Sequence, residues 1–341
     1  MEQKTGSIQI GKASIQFEKG VHILASGTVV GKKEGEGPLG KKFDLVCQNP
    51  EFGEENWEQA ESTMQSEALQ TALGKAGKQP WEIRYLFGGD LLGQLIATSF
   101  GIAEFEIPMF GLYGACSTCG ESLMLGAMTV AAGYADAVAA VTSSHFASAE
   151  KQFRFPLGYG NQRPLSATWT VTGAGAFILG KSGGKARIMG ATPGKIVDMG
   201  VKDSMNMGAC MAPAACDTIW QNFQDYERMP EDYDRIITGD LGSVGKTILI
   251  DLLKEKGYDI SQIYMDCGME IFDEASQDTH AGGSGCGCAA VTFGAEILPK
   301  IEKGIWKRVL FVPTGALLST VSFNEGKSVP GIAHGVVIEH C

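Results

Sequence analysis

The sequence predicts a layered α/β protein built from two related halves. Two observations carry that prediction: strand-like and helix-like segments alternate along the 341 residues, and the alternation occurs twice with matching landmarks. The first landmark pairs Trp81 to Leu91 with Glu231 to Leu241, so that Asp90 corresponds to Asp240. The second pairs Cys116 through Ala127 with Ser284 through Ala295, each a small-residue turn that opens an Ala- and Gly-rich helix. The order β-α-β-α-β therefore recurs. Alternation of this kind implies a mostly parallel sheet with helices on its faces, and ligand chemistry at the carboxyl ends of the strands. The boundary falls near Gly180-Lys181, giving residues 1–180 with Cys116 and residues 181–341 with His280, and Ser182-Gly183-Gly184 as the turn between them.

Taken in order, the first half opens with a helix-like segment, Glu61 to Ala76, followed by the hydrophobic triplet Tyr85-Leu86-Phe87 as a buried strand. Ile107, Met109, Phe110, Leu112 and Tyr113 read as the next strand. Leu123 to Ala132 is an apolar run whose length suits a buried helix better than a strand. Ala137 to Thr142 closes this half as a strand. In the second half the corresponding pieces are the helix Ala212 to Gln224, the strand ending at Thr238, the helix after Ser284 and the strand Arg308 to Val312. Asp90 and Asp240, at strand ends, read as caps of the helices that follow them. The 46 glycines cluster at such junctions and suit tight turns and close helix packing.

Composition removes several functions. A net charge of −11 without a basic stripe argues against a nucleic-acid surface, which needs clustered Lys and Arg. The nine cysteines occur without an N-terminal signal pattern, so reduced thiols in a cytosolic-type compartment are expected. Cys116 and Cys119 have C-x-x-C spacing, but no second C-x-x-C follows and Cys286-Gly287-Cys288 is too closely spaced for the common zinc pattern, so no resident metal or cofactor is expected. The charge-free stretch between Glu121 and Asp136 is shorter than the roughly 18 residues that cross a bilayer. The chain is expected not to span a membrane.

The chemistry concentrates at Gly114-Ala115-Cys116-Ser117-Thr118-Cys119-Gly120-Glu121. Cys116 sits where a strand gives way to a helix. There, unpaired N–H groups and the positive end of the helix dipole favour negative charge, either a thiolate on the cysteine or a carboxylate on a ligand. One geometry thus serves a nucleophile or an anion pocket.

These residues resemble the thiolase-like superfamily, in which two duplicated halves pack as five layers, α-β-α-β-α. Within it they are most similar to the stage V sporulation protein AD family, through Gly88-Gly89-Asp90-Leu91-Leu92, Tyr113-Gly114-Ala115-Cys116-Ser117-Thr118, Thr142-Ser143-Ser144-His145, Gly285-Cys286-Gly287-Cys288 and Pro330-Gly331-Ile332-Ala333-His334. The resemblance implies a spore protein that binds dipicolinate, pyridine-2,6-dicarboxylate, alone or with calcium, during its loading into the developing spore. It also implies a homodimer, with Gln94 and its neighbours at the interface, and membrane-bound stage V sporulation proteins as partners. The implied location is peripheral, at the cytoplasmic side of the forespore or spore inner membrane.

A flat dianion would be held by helix-start N–H groups at Cys116, hydroxyls of Ser143 or Ser144, and imidazoles of His145 and His280. A cation is also needed, because two buried carboxylates are costly to desolvate. Lys151, Arg154 and Arg163 follow His145, and Arg154 is the leading candidate because a guanidinium pairs bidentately with a carboxylate. The alternative is an acyl-transferring condensing enzyme of thiolase or ketoacyl synthase type. Its nucleophile would be Cys116, and His280 in Thr279-His280-Ala281-Gly282-Gly283-Ser284-Gly285 would take the place of the thiolase histidine in His-Pro-Leu-Gly-Ala-Ser-Gly. Its third component is missing, because Pro313-Thr314-Gly315 stands where thiolases carry a cysteine and a threonine hydroxyl cannot shuttle a proton at neutral pH. Cys286 and Cys288 are the candidate substitutes.

Overall fold

The computed structural model describes residues 7–153 and 162–341. Besides short pairs such as Trp169–Thr170 with Gly283–Ser284, the strands that order its main sheet are β1 (Ser14–Val30), β2 (Tyr85–Gly89), β3 (Met109–Gly111), β4 (Ala137–Ser144), β5 (Gly173–Gly180), β6 (Ala186–Thr192), β7 (Arg235–Thr238), β8 (Tyr264–Asp266), β9 (Arg308–Val312) and β10 (Gly335–His340). They lie in one sheet in the order β8-β7-β9-β10-β6-β1-β5-β4-β2-β3, with Ser7–Ile10 and Leu45–Val46 paired to β1. The two arms of that order mirror each other. β2 runs parallel to β3 and β4, and β4 meets β5 antiparallel. In the same way β7 runs parallel to β8 and β9, and β9 meets β10 antiparallel. The antiparallel pair β1 and β6 joins the arms.

The helices named here are α1 (Trp57–Ala76), α2 (Thr118–Ala131), α3 (Phe146–Phe153), α4 (Met207–Tyr226), α5 (Gly242–Glu255) and α6 (Cys286–Thr292). α1 begins where the Asn56 side chain accepts the Gln59 N–H and ends at Gly77 in the left-handed region, so both termini carry ordinary stop and start chemistry. It covers β1, β5 and β4 from outside. α4, capped by Asn206, lies with α5 on the opposite outer face, over β9, β10 and β6. α2 and α6 fill the middle: α2 touches strands of both arms, and α6 packs on β4, β5 and β1. The two arms of this one sheet thus serve as the two strand layers between outer and central helices, the five-layer arrangement expected from the duplicated pattern.

The sequence of β4, Ala-Val-Ala-Ala-Val-Thr-Ser-Ser, is buried at all eight positions. A strand covered on both faces has no reason to alternate polar and apolar residues, which is why it reads as a continuous small-residue run. Among the described residues, no helix is long and apolar enough to cross a membrane.

Candidate functional site

The chain leaves β3 and passes through Gly114 into a short turn, Ala115–Ser117, that leads directly into α2. Ala115 has a φ of 52°, a left-handed conformation that costs an L-residue on the order of 1–2 kcal/mol. The turn is held by the Ser117 hydroxyl donating to the Gly114 carbonyl at 2.6 Å and the Thr118 hydroxyl donating to the Ala115 carbonyl at 2.7 Å. Cys116 is thereby set at the wall of a cavity of about 210 Å³. Leu91, Tyr113, Phe153, Met207 and Leu317 give that cavity apolar walls, and Glu150, Thr170, Ser284 and Ser319 bring polar groups to it.

The centre of the site is made by the duplication. Cys116 Sγ and Ser284 Oγ, matched positions of the two halves, stand 3.9 Å apart. Ser284 donates to Asp240 Oδ2 at 2.8 Å, the Gly285 N–H donates to the same oxygen at 2.9 Å, and Thr314 donates to Oδ1 at 2.7 Å. Gly285 has a φ of 112°, and a Cβ there would lie 2.5 Å from Ser144 Oγ, so only glycine brings this N–H to the carboxylate. The Cys116 thiol, beside the Ser284 hydroxyl, lies within reach of the Asp240 charge. Burial raises the carboxyl above its ordinary range, against the hydrogen bonds that lower it.

The thiol responds to the same surroundings. Burial first, and then the Asp240 charge and its hydrogen bond, push Cys116 well above an ordinary thiol. This corrects the expectation of a thiolate stabilised by the helix start: a carboxylate beside a buried thiol opposes its ionisation.

Asp240 corrects a second expectation. The aspartate that serves the start of α5 is Asp266, which accepts the Leu241 N–H at 2.9 Å and the Gly242 N–H at 3.1 Å. Asp90 does serve its own following segment, accepting the Leu92 and Thr98 N–H groups at 2.8 Å each.

Of the ligand contacts expected from the sequence, the structure brings Cys116 to the cavity and places the other described ones elsewhere. Ser143 donates to Glu61 Oε1 at 2.8 Å, on the side of α1. Ser144 donates to the Val171 carbonyl at 2.7 Å. His145 pairs through Nε2 with the Pro50 carbonyl at 2.8 Å, and burial lowers its pKa, which keeps it neutral. His280, at a φ of 55°, pairs through Nδ1 with the Pro164 carbonyl at 2.9 Å and through Nε2 with Asp278 at 3.1 Å. With its ring held by Pro164 and Asp278, His280 is not among the residues that line the cavity beside Cys116. Lys151 is bound to Glu58 at 2.6 Å, and Arg163 to Asp278. Arg154 lies outside the described residues. The thiols of Cys286 and Cys288 donate to the Ser143 and Gly239 carbonyls and do not line the cavity.

Sequence reasoning missed Glu150, Phe153 and Thr170 as wall residues. Thr170 donates to Glu150 at 3.0 Å. These residues come from α3 and a two-residue strand far from the Cys116 turn in sequence, and nothing in their local pattern distinguishes them.

The model of the stage V sporulation protein AD family matches residues 11–339. The Stage V sporulation protein AD of Bacillus subtilis (strain 168) is 42% identical over 329 residues, covering 96% of this chain and 97% of that one. Among solved structures, 3-oxoacyl-(acyl-carrier-protein) synthase III from Aquifex aeolicus VF5 is similar with a TM-score of 0.56 at 14% identity, over 94% of this chain and 100% of the other. The Acat5 thiolase from Ascaris suum, in complex with coenzyme A, gives a TM-score of 0.57 at 12% identity over 95% and 100%. At such identities the likeness establishes the thiolase-like fold and leaves the chemistry to the residues.

Proposed function

The chain belongs to the stage V sporulation protein AD family, and from that premise we propose that it binds dipicolinic acid in the cavity beside Cys116, without bonding to it, for uptake into the developing spore. The observation that carries this reading is the Cys116 thiol standing beside Ser284, which is bound to the Asp240 carboxylate, in a cavity to which no described residue brings an imidazole. A nucleophilic cysteine is activated by a cation or by a base free to take its proton, whereas the Asp240 carboxylate is occupied by Ser284, Gly285 and Thr314 and its charge opposes thiolate formation. The cavity, about 210 Å³, is smaller than the roughly 300–1,000 Å³ of drug-sized sites and suits a one-ring guest.

The walls divide the work of holding such a guest. Leu91, Tyr113, Phe153 and Met207 offer apolar surface to the ring faces, while Ser284, Thr170 and Ser319 offer hydroxyls to the carboxylates. The charge of the dianion is answered by Arg154, which follows Phe153 in the chain, or by a calcium ion arriving with the ligand as cargo. A second copy of the chain is proposed as a partner through β3. This strand lies at the end of the sheet with Met109 and Phe110 exposed, beside Leu95, and an apolar edge of this kind is a template for pairing. Passage through the membrane is assigned to membrane-bound stage V sporulation proteins, with this chain docked peripherally at the cytoplasmic face of the forespore membrane.

Calorimetric titration with dipicolinate, with and without calcium, tests the reading, together with mass spectrometry of Cys116 after exposure to acetyl and malonyl thioesters. Saturable binding, modestly weakened by Cys116→Ala, is expected, with no adduct. Failure to bind in either condition would sink the proposal, and an acylated Cys116 would turn it toward the condensing-enzyme alternative.

A further inference from the structure

Behind the cavity wall lies a buried polar chain that the binding reading does not use. Glu61 and Gln65 on α1, Asp90 after β2, Thr98, Ser143 at the end of β4 and Ser148 on α3 are all at most 1% exposed. Ser143 donates to Glu61 Oε1 and Ser148 to Glu61 Oε2, each at 2.8 Å. Gln65 Nε2 donates to Ser143 Oγ at 2.6 Å and to Thr98 Oγ1 at 2.9 Å, and Thr98 donates to Asp90 Oδ2 at 2.6 Å. Two carboxyls are thus joined through three neutral side chains. Both ends of the chain support the cavity: Ser148 belongs to α3, which carries Glu150 and Phe153, and Asp90 precedes Leu91.

The charged neighbours do not neutralise this chain. On α1, Glu58 is a further acid, occupied by Lys151 of α3 at 2.6 Å. His145, between β4 and α3, is kept neutral by burial. From α6, the Cys286 thiol faces the same region and is raised first by burial and then by Cys116, Glu61 and Asp90. Glu150 adds another acid on α3. Among the described residues of α1 and α3 named here, Lys151 is the cation, and it is committed to Glu58.

We propose that the Glu61–Ser148 contact is a proton-operated latch between α1 and α3: while Glu61 is neutral the seam stays closed, and when Glu61 ionises the helix that forms one cavity wall loosens. The donor geometry fits both states. Ser148 Oγ has a second acceptor, the His145 carbonyl at 3.1 Å, so it can turn to its own helix and receive the proton of a neutral Glu61. An ionised Glu61, by contrast, is a buried charge held only by hydroxyls, and desolvation disfavours it until water reaches the seam. Burial and the Asp90 charge raise Glu61 to about 8, which puts the change within a workable range of pH.

The test reads backbone hydrogen exchange in peptides spanning 146–153 and needs no ligand, so its result is independent of whether dipicolinate binds. After correction for intrinsic rates, wild-type protection should fall about tenfold between about pH 6.5 and about pH 9, and Glu61→Gln, a neutral isostere, should remove that step. Glu58→Gln serves as control and should retain the step. An identical pH profile in wild type and Glu61→Gln overturns the proposal. Should Glu61→Gln fail to fold, Ser148→Ala decides the matter: it should leave α3 weakly protected at every pH, and a surviving step would refute the latch.

Discussion

Asp90 and Asp240 occupy matched positions in the two halves and do different work. Asp90 is turned into its own half, where it accepts the Leu92 and Thr98 N–H groups and the Thr98 hydroxyl. Asp240 is turned toward the centre, where it accepts Ser284, Gly285 and Thr314 and faces the Cys116 thiol. The difference has a local cause. In the second half Asp266 accepts the Leu241 and Gly242 N–H groups, which releases Asp240 from serving the next helix. Duplication therefore supplied two equivalent acids, and a change one strand away decided which of them could enter the site.

The comparison can be strained hardest at Gly287, matched to Cys119. A Cβ on Gly287 would lie 2.3 Å from the Gly173 carbonyl oxygen, whereas Cys119 already carries a side chain in a buried slot. Gly287→Ala should therefore destabilise by about 3 kcal/mol and Cys119→Ala by about 1 kcal/mol, as read from urea midpoints. Equal losses would mean that the two central helices are packed alike.

A slightly smaller effect separates the acids by pH. Asp266 is raised to about 6 and Glu61 to about 8, both chiefly by burial. Each folded-state value lies above the unfolded one, so the folded protein holds more protons in between. The stabilisation is complete below the unfolded pKa and is lost as pH rises through the folded one. Stability should decline between about pH 4 and 6 through Asp266, by about 3 kcal/mol, with Glu61 adding to the decline from about pH 4.5 and carrying it alone from about pH 6 toward pH 8. Glu61→Gln should remove the decline above about pH 6 and make the one below it shallower. A stability curve that rises over this range would contradict the assignment.

Asp240→Asn tests the acid at the centre directly. Removing its charge should increase alkylation of Cys116 about tenfold near neutral pH, equivalent to about 1.4 kcal/mol, while Asp90→Asn should leave that rate unchanged. If both substitutions act equally, the two aspartates are not distinguished by the site. The least effect is expected from Ser284→Ala, which removes one of several donors to Asp240 and should cost about 1 kcal/mol.

The duplicated strand and helix order was legible because it rests on burial and periodicity, which local sequence records. Cys116 was legible for the same reason, as a small residue at a strand-to-helix turn. Where the histidines point was not legible: His280 sits at a left-handed position that neither spacing nor residue type reveals, and His145 is taken up by the Pro50 carbonyl, far from it in the chain. Ser143 illustrates a different difficulty. At a strand end its hydroxyl can face either side of the sheet, and the buried Glu61 and Gln65 on α1 take it to the side away from the cavity. Asp240 was noticed through the repeat, yet its role depended on Asp266, a residue with no repeat partner to draw attention to it.

β1 has a consequence for how the chain comes to be folded. This 17-residue strand pairs with β5 and β6, which begin at residues 173 and 186, so its long neighbours emerge from the ribosome only after half the polypeptide has been made. Such distant pairing raises contact order and delays closure of the sheet. Until then, the amino-terminal region has no complete domain to join, and a nascent chain halted before Gly173 should remain a client of chaperones.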